Sequence, residues 1–491
     1  MRTAVKKSLL AIAISGVIAS PAVNATNGYF SHGYSTKEKG LAGAGTAFSQ
    51  DAMAAATNPA GMAFVGERMD IGAALFSPSS RGYDVSGTPP GSAPPPNGVL
   101  GLPVVGATGC QAPFGTTPGI CQAPFSVAAG SVESENDFFL IPHFAYNWKL
   151  DSDKTVGISI YGNGGMNTEY KSSDASAFLP DGSNPAGGLP ITELPGTFGA
   201  GKAGVNLEQL FFNVSFSKKL DTKHAVGASL IVAAQRFSAD GLDNFGQFSL
   251  DPENLSNNGN SSSMGAGLKV GYQGEVQKGI RVGVSYQSKI SMGEFDEYKG
   301  LFAEGGDFDI PSTYNIGASF DVGTSGVIVA DIQRINYSDV DAISNSISQL
   351  TNGSCLDALN NSLMGGPQSA AGAGCLGGAK GAGFGWEDMT VFKIGYQFDV
   401  GDNTYRVGYS HGDQPIPKSE TLFNILAPAV IEEHITAGAT IRLDNNQEFN
   451  IAGMFAPNAS VKGDNPFDGG ATQIELEMSQ WEIQAGWAWK Y

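Results

Sequence analysis

The sequence predicts an all-β protein, a 14-stranded antiparallel transmembrane β-barrel. Three observations point there. Nearly every segment after residue 67 alternates with period two, the connections between those segments are alternately long and short, and the last segment ends the chain on an aromatic face. Alternation alone also fits a soluble sandwich. Strict long and short parity does not, whereas it is built into an even-stranded up-and-down barrel with short periplasmic turns and long outer loops.

Composition agrees and removes other classes. Gly supplies 67 of the 491 residues and charged residues only 15%, where about 25% is usual in a soluble chain. After residue 25 no run approaches the ~18 apolar residues of a spanning helix; the best, Ala225 to Ala234, contains Gly227 and Ser229. A formal charge of −19 argues against nucleic acid, which needs a basic footprint to release counterions.

Taken in order, Arg2, Lys6 and Lys7 precede an apolar stretch from Leu9 to Ala19, and Val23-Asn24-Ala25 offers small residues where a signal peptidase reads. Residues 1–25 are therefore expected to be a cleaved signal peptide. Their loss removes three positive charges and no negative one, taking −19 to −22. Export to an oxidising compartment favours disulfides. Four cysteines allow three connectivities, and the two local pairs are expected, Cys110 with Cys121 and Cys355 with Cys375. The smaller ring would contribute about 3 kcal/mol in the chain-entropy model.

Residues 26–66 do not alternate. They are rich in small residues, as in Gly40-Leu41-Ala42-Gly43-Ala44-Gly45 and Ala52 to Ala56, and end in Asn58-Pro59-Ala60-Gly61-Met62. Small side chains suit a chain that packs closely inside something else. This segment is expected to be a hatch, or plug, with the barrel and its long outer loops occupying 67–491.

Strands are expected to begin near residues 68, 137, 154, 205, 223, 263, 279, 309, 326, 387, 403, 428, 446 and 476. The alternation is plain in Ile280, Val282, Val284 and Tyr286, in Ile435, Ala437, Ala439, Ile441 and Leu443, and in Phe392, Ile394, Tyr396 and Phe398. Short connections such as Asp151-Ser152-Asp153, Gly401-Asp402 and Asp444-Asn445-Asn446 are turn chemistry. Long ones are expected at 77–136, 171–204, 239–262, 295–308, 338–386, 411–427 and 456–475, and all four cysteines fall in two of them. The final strand carries Trp481, Ile483, Ala485, Trp487, Trp489 and Tyr491 on one face. In water such an edge invites aggregation. It resembles the terminal strand by which outer-membrane barrels engage the barrel-insertion machinery.

The run from Lys39 to Ala63, with its Gly-rich start, Asp51 and the Asn58-Pro59-Ala60 triplet, resembles the hatch of the outer-membrane long-chain fatty-acid and hydrocarbon transporters, the FadL family. Organisation resembles that family over the whole mature chain; motif resembles it mainly over residues 39–63. The resemblance implies a monomeric barrel plugged by the hatch, with a hydrophobic ligand entering from the outer loops. It also implies a kinked wall opening in the third strand, where Val156, Ile158 and Ile160 alternate until Gly162-Asn163-Gly164-Gly165 interrupts. Glycines inside a strand often mark a bulge or bend. Arg236, beside Phe237 at the outer end of the fifth strand, is either an interface charge or, as the resemblance allows, a cation for a ligand carboxylate.

Other chemistry lacks its context. Gly372-Ala373-Gly374-Cys375-Leu376-Gly377 fits the dinucleotide pattern but follows no expected strand and opens no expected helix. His32, His143, His224, His411 and His434 have no metal-ligand spacing. No His-x-Ser of a barrel phospholipase occurs, and the pairs Asp307 with Asp309 and Asp339 with Asp341 lack full calcium-loop spacing. The expectation is therefore a non-enzymatic transporter without metal or cofactor in the outer membrane of a Gram-negative bacterium, among lipid and lipopolysaccharide. It would carry hydrophobic compounds, such as long-chain fatty acids, and release them sideways through a gap in the wall. A diffusion porin for polar solutes, a channel for aromatic or aliphatic hydrocarbons, and an adhesin remain as alternatives.

Overall fold

The computed structural model describes residues 27–89, 102–105, 120–123, 125–180, 191–350, 355, 372–444 and 446–491. The expected signal peptide lies outside the described residues, as does Cys110, and with it the expected Cys110–Cys121 pair. Fourteen strands form the wall: β1 (Arg68–Ser77), β2 (Phe139–Lys149), β3 (Lys154–Tyr170), β4 (Ala203–Lys219), β5 (His224–Asp240), β6 (Ser261–Gln277), β7 (Ile280–Gln287), β8 (Thr313–Val322), β9 (Gly326–Ile335), β10 (Met389–Val400), β11 (Asn403–Gly412), β12 (Glu433–Arg442), β13 (Gln447–Asp464) and β14 (Thr472–Lys490). Each pairs antiparallel with the next in sequence, and β1 pairs with β14 from Arg68↔Lys490 to Ser77↔Trp481. The sheet is therefore closed. Short segments lengthen it at the outer end: Gly82–Gly87 continues β1 along β14, and Gly130–Glu133 pairs with Gly82–Gly87.

The short connections are built on one recurring device. Asp151 accepts through Oδ1 from the backbone N–H of Asp153 and Lys154, and Asp221 does the same for Lys223 and His224. Such an aspartate supplies locally the acceptor that a tight turn needs. Thirteen of the fourteen strand starts fall within four residues of expectation; β12 begins at Glu433 against an expected 428.

The expected 456–475 loop is corrected. Here β13 runs on to Asp464 and β14 begins at Thr472, so the connection is only 465–471. Pro457 lacks a backbone N–H to give to the ladder. The ladder absorbs it in an irregularity between Ala456 and Ala459 and continues.

Sidedness is the reverse of a soluble protein. Ile316, Phe392, Ile394, Val407, Ile435 and Ile483 are exposed, while their chain neighbours Asn315, Lys393, Arg406, His434, Thr436, Glu482 and Gln484 are buried. A belt of that size facing water would be unfavourable by ~25 cal/mol for every Å²; a lipid solvent removes the penalty. Among the described residues no helix is long and apolar enough to cross a membrane, so any crossing is made by strands.

The outer loops fold back over one end. Cys355 and Cys375 are joined by a disulfide, and the Cys355–Cys375 crosslink is expected in non-reducing peptide maps of the purified protein. A free thiol at both positions would contradict it. Next to it, Leu376 N–H donates to Phe248 O at 2.8 Å and Leu376 O accepts from Leu250 N–H at 3.0 Å. The Gly372–Gly377 run thus serves a loop junction. Asp309 and Asp339 likewise accept from the backbone N–H of Met292 and Ser312.

Candidate functional site

The segment 27–66 is almost wholly buried and bonds to inward-facing groups of the wall. Lys39 pairs with Glu482 on β14 at 2.6 Å and Lys37 with Glu448 on β13 at 2.8 Å. Asp331 on β9 accepts from Gly45 N–H and Thr46 N–H at 2.8 and 2.9 Å, and Asp70 on β1 accepts from Ala52 N–H at 2.9 Å. The expected triplet is central to this seat. Asn58 Nδ2 donates to Thr46 O and Tyr272 O, its Oδ1 accepts from Ala60 N–H, and Pro59 opens a short 3₁₀ turn to Ala63. A side chain on Gly227 would overlap Pro59, and one on Gly271 would overlap Asn58. Small residues on both surfaces are what allow backbone to meet wall.

Charges inside this seat respond to burial. Burial first, then Lys39 and the ring of His434, hold His32 well below the usual imidazole range. The His32 and His434 rings stack at 5.6 Å with 10° between planes. Burial, with Asp51 next, pushes the Glu38 carboxyl up, and Thr57 Oγ1 donates to it at 2.9 Å.

The Gly162-Asn163-Gly164-Gly165 run sits where the wall is interrupted. Pairing of β2 with β3 runs from Lys149↔Thr155 only to His143↔Tyr161. Beyond that, β2 and β3 no longer pair with each other: residues 139–142 pair with β1, and residues 162–170 pair with β4. The two edges meet again at Glu135 N–H, which donates to Glu169 O at 2.9 Å. The direct ladder between β2 and β3 is thus interrupted over roughly 25 Å of strand at the ordinary rise of ~3.3 Å per residue. Asn163 is the extra residue: Leu210 pairs with Gly162 and Gln209 with Gly164. Its side chain turns inward and bonds Tyr34 Oη and Gln209 Oε1.

Residues 29–31 take the place of β2 along this edge, with Phe30 bridging Gly164 antiparallel. Ser31 N–H donates to Asn163 O at 2.9 Å and Gly165 N–H to Tyr29 O at 3.0 Å. A side chain on Gly164 would overlap the Tyr29 carbonyl. So the glycine at 164 is required by close approach of a second backbone.

Two apolar cavities lie inside. One is lined among others by Val205, Phe237, Phe245, Phe302, Phe384 and Phe423, and by no charged side chain. The second lies behind the wall opening, against Gly28, Phe76, Met166 and Asn167, with Arg81 as its one charged lining residue. The inturned chain 422–430 separates them, with Leu426 on the first and Ala427-Pro428-Ala429 on the second. It is held to β3 by Thr168 Oγ1 donating to Leu426 O at 2.7 Å and Tyr170 Oη to Ile425 O at 2.9 Å.

Arg236 is not part of this lining. It shares the exposed face of β5 with Leu230 and grips Glu208 on β4 through Nη2 at 2.9 and 2.8 Å. Its neighbour Phe237 is the residue that faces the cavity. Parity along β5 contains that answer, since Leu230, Val232, Ala234 and Arg236 share one side. The remaining cavity residues come from loops far apart in sequence, and no local signal joins them.

No protein-family model matches this chain, and no curated protein matches it. Solved structures do. The Pseudomonas putida toluene transporter TodX superposes with a TM-score of 0.59 at 16% identity, covering 94% of this chain and 99% of that one. A Pseudomonas aeruginosa FadL homologue gives 0.58 at 14% identity, with the same coverage. The Ralstonia pickettii toluene transporter TbuX gives 0.52 at 15% identity, again over 94% and 99%. At such identities the likeness is one of fold. The chain has the barrel fold of the FadL homologue and of the toluene transporters, as the resemblance of its Lys39–Ala63 run implies.

Proposed function

We propose that the protein is a monomeric outer-membrane channel of the FadL type that carries uncharged hydrophobic molecules past the lipopolysaccharide layer and releases them sideways into lipid. Residues 27–66 are its hatch, the Phe-lined cavity captures the ligand, and the interruption between β2 and β3 is its exit. The observation that carries this reading is the pair of apolar cavities leading to a place where the wall lacks strand pairing. Release into the periplasm would expose apolar surface at about 0.8 kcal/mol per methylene. Release into lipid does not. Two fold relatives are toluene transporters, which supports the same ligand class.

Within hydrophobic ligands, a second reading, long-chain fatty acids, is weaker here. A carboxylate in the Phe-lined cavity would meet no cation, and burying an unpaired charge is strongly unfavourable. The porin reading is disfavoured because a buried segment crosses the lumen. The test is binding of toluene and of laurate to the purified barrel and to a Phe423→Ala variant. Toluene is expected to bind more tightly, and losing one buried ring is expected to weaken it roughly tenfold to a hundredfold, from ~1.5–3 kcal/mol. Equal toluene affinity in variant and parent would remove the cavity from the pathway.

A further inference from the structure

The periplasmic mouth of the lumen holds a basic recess that the transport reading does not use. It lies between the hatch and the turn ends of β10 to β14 and β1, and its cationic lining is Lys37, Arg68, Arg406, Arg442 and Lys490. Only two carboxylates line it, Glu448 and Asp402. In a chain of net charge −19 this is a local reversal of sign. Glu448 is already shared by Lys37 at 2.8 Å, Arg68 at 3.4 Å and Lys490. Arg68 is further satisfied by Asp70 at 2.7 Å.

Arg406 is different. It is only 4% exposed, and among the described residues it has no carboxylate partner. Its Nε donates to Gln397 Oε1 at 2.8 Å, one Nη to Thr440 Oγ1 at 2.8 Å, and the other Nη to Gln50 Oε1 at 2.9 Å. A guanidinium has five N–H groups, so one N–H on each Nη is left without an acceptor. Because arginine only donates, the contact fixes Gln50 with its oxygen toward Arg406. Gln50 Nε2 is thereby buried with no acceptor among the described residues. Arg442, on the exposed rim, also lacks an ion-pair partner among them. Convergent unfilled donors with excess positive charge call for an acceptor that is itself negative.

We propose that this recess is an oxyanion site, in which the two free N–H groups of Arg406 and the amide of Gln50 hold the oxygens of a phosphate or carboxylate and Arg442 supplies charge at the rim. A paired fork of N–H donors suits either group bidentately. The anion has two sources, a dissolved phosphate of the periplasm or the acid end of an amphiphile that reaches the mouth. The site does not depend on the identity of the transported ligand.

The test titrates inorganic phosphate, hexanoate and hexanol into the purified full-length barrel at low ionic strength by calorimetry, with Arg406→Gln and Arg442→Gln variants. Saturable phosphate binding, weakened about tenfold or more in Arg406→Gln, supports the dissolved-anion source. Binding of hexanoate but neither phosphate nor hexanol, with the same loss, supports the amphiphile. If Arg406→Gln does not fold, Arg442→Gln, on an exposed side chain, is expected to weaken the bound anion severalfold. The proposal is overturned if neither anion binds, if hexanol binds as well as hexanoate, or if both variants keep parental affinity; water then fills the recess.

Discussion

Deleting the single residue Asn163 is expected to abolish uptake of hydrophobic compounds while leaving a folded, inserted barrel. The expectation follows from register. On β3, Thr155, Ser159 and Tyr161 face inward, and beyond the irregularity Met166, Thr168 and Tyr170 do so. The inward set thus changes from odd to even numbers across one extra residue. Removing Asn163 makes the strand regular without turning any other side chain to the wrong face, whereas most one-residue changes invert a strand. The pairing with β4 becomes continuous, and β3 is then free to extend its ladder with β2 beyond His143↔Tyr161, closing the opening. Uptake measured in cells, with insertion checked separately, is expected to fall to the level of cells lacking the protein. Parental uptake by the inserted deletion variant would show that ligand leaves by another route.

Removing residues 27–66, with the export signal retained, is expected to turn a non-conducting barrel into an ion channel in planar bilayers. The strands satisfy their own backbone hydrogen bonds, so the wall does not need the segment to fold. What the wall loses is partners for Glu482 and Asp331, while Asp70 keeps Arg68. Left dry, an unpaired buried charge would be unfavourable by about 3–5 kcal/mol, and water entering the emptied lumen relieves that. A barrel of 14 strands lies between the side-chain-filled interior of about 8 and the open pore of 16 to 18. The inturned loops that line the Phe cavity remain, so the current should be smaller than an open porin gives. Unchanged conductance would mean the segment is not the barrier.

Much of this architecture was legible from residue order alone, and the reasons are physical. Period-two alternation and turn aspartates are local, and β4, β5, β6 and β11 begin within two residues of where they are read. Cys355 with Cys375 is a local ring and was legible for the same reason. The end of β13 was not, because Pro457 removes a donor without ending a ladder that accommodates it. For Arg236 two readings stood open, and strand parity, which sends it and Phe237 to opposite faces, places it on the exposed side of β5. The Gly162–Gly165 run announced an irregularity. That Tyr29–Ser31 would dock there, and that Phe237, Phe302, Phe384 and Phe423 would enclose one cavity, depends on contacts between residues tens to more than a hundred positions apart.

The most direct measurement of the central claim is the rate at which toluene, and a polar solute of similar size such as glycerol, enters Gram-negative cells that lack other channels of this type, with and without the protein in the outer membrane. The account predicts that the protein accelerates toluene entry and leaves glycerol entry unchanged, since in it residues 27–66 act as a hatch and the path left to a ligand is apolar. Faster glycerol entry, or toluene entry no faster than through the bare membrane, would contradict it.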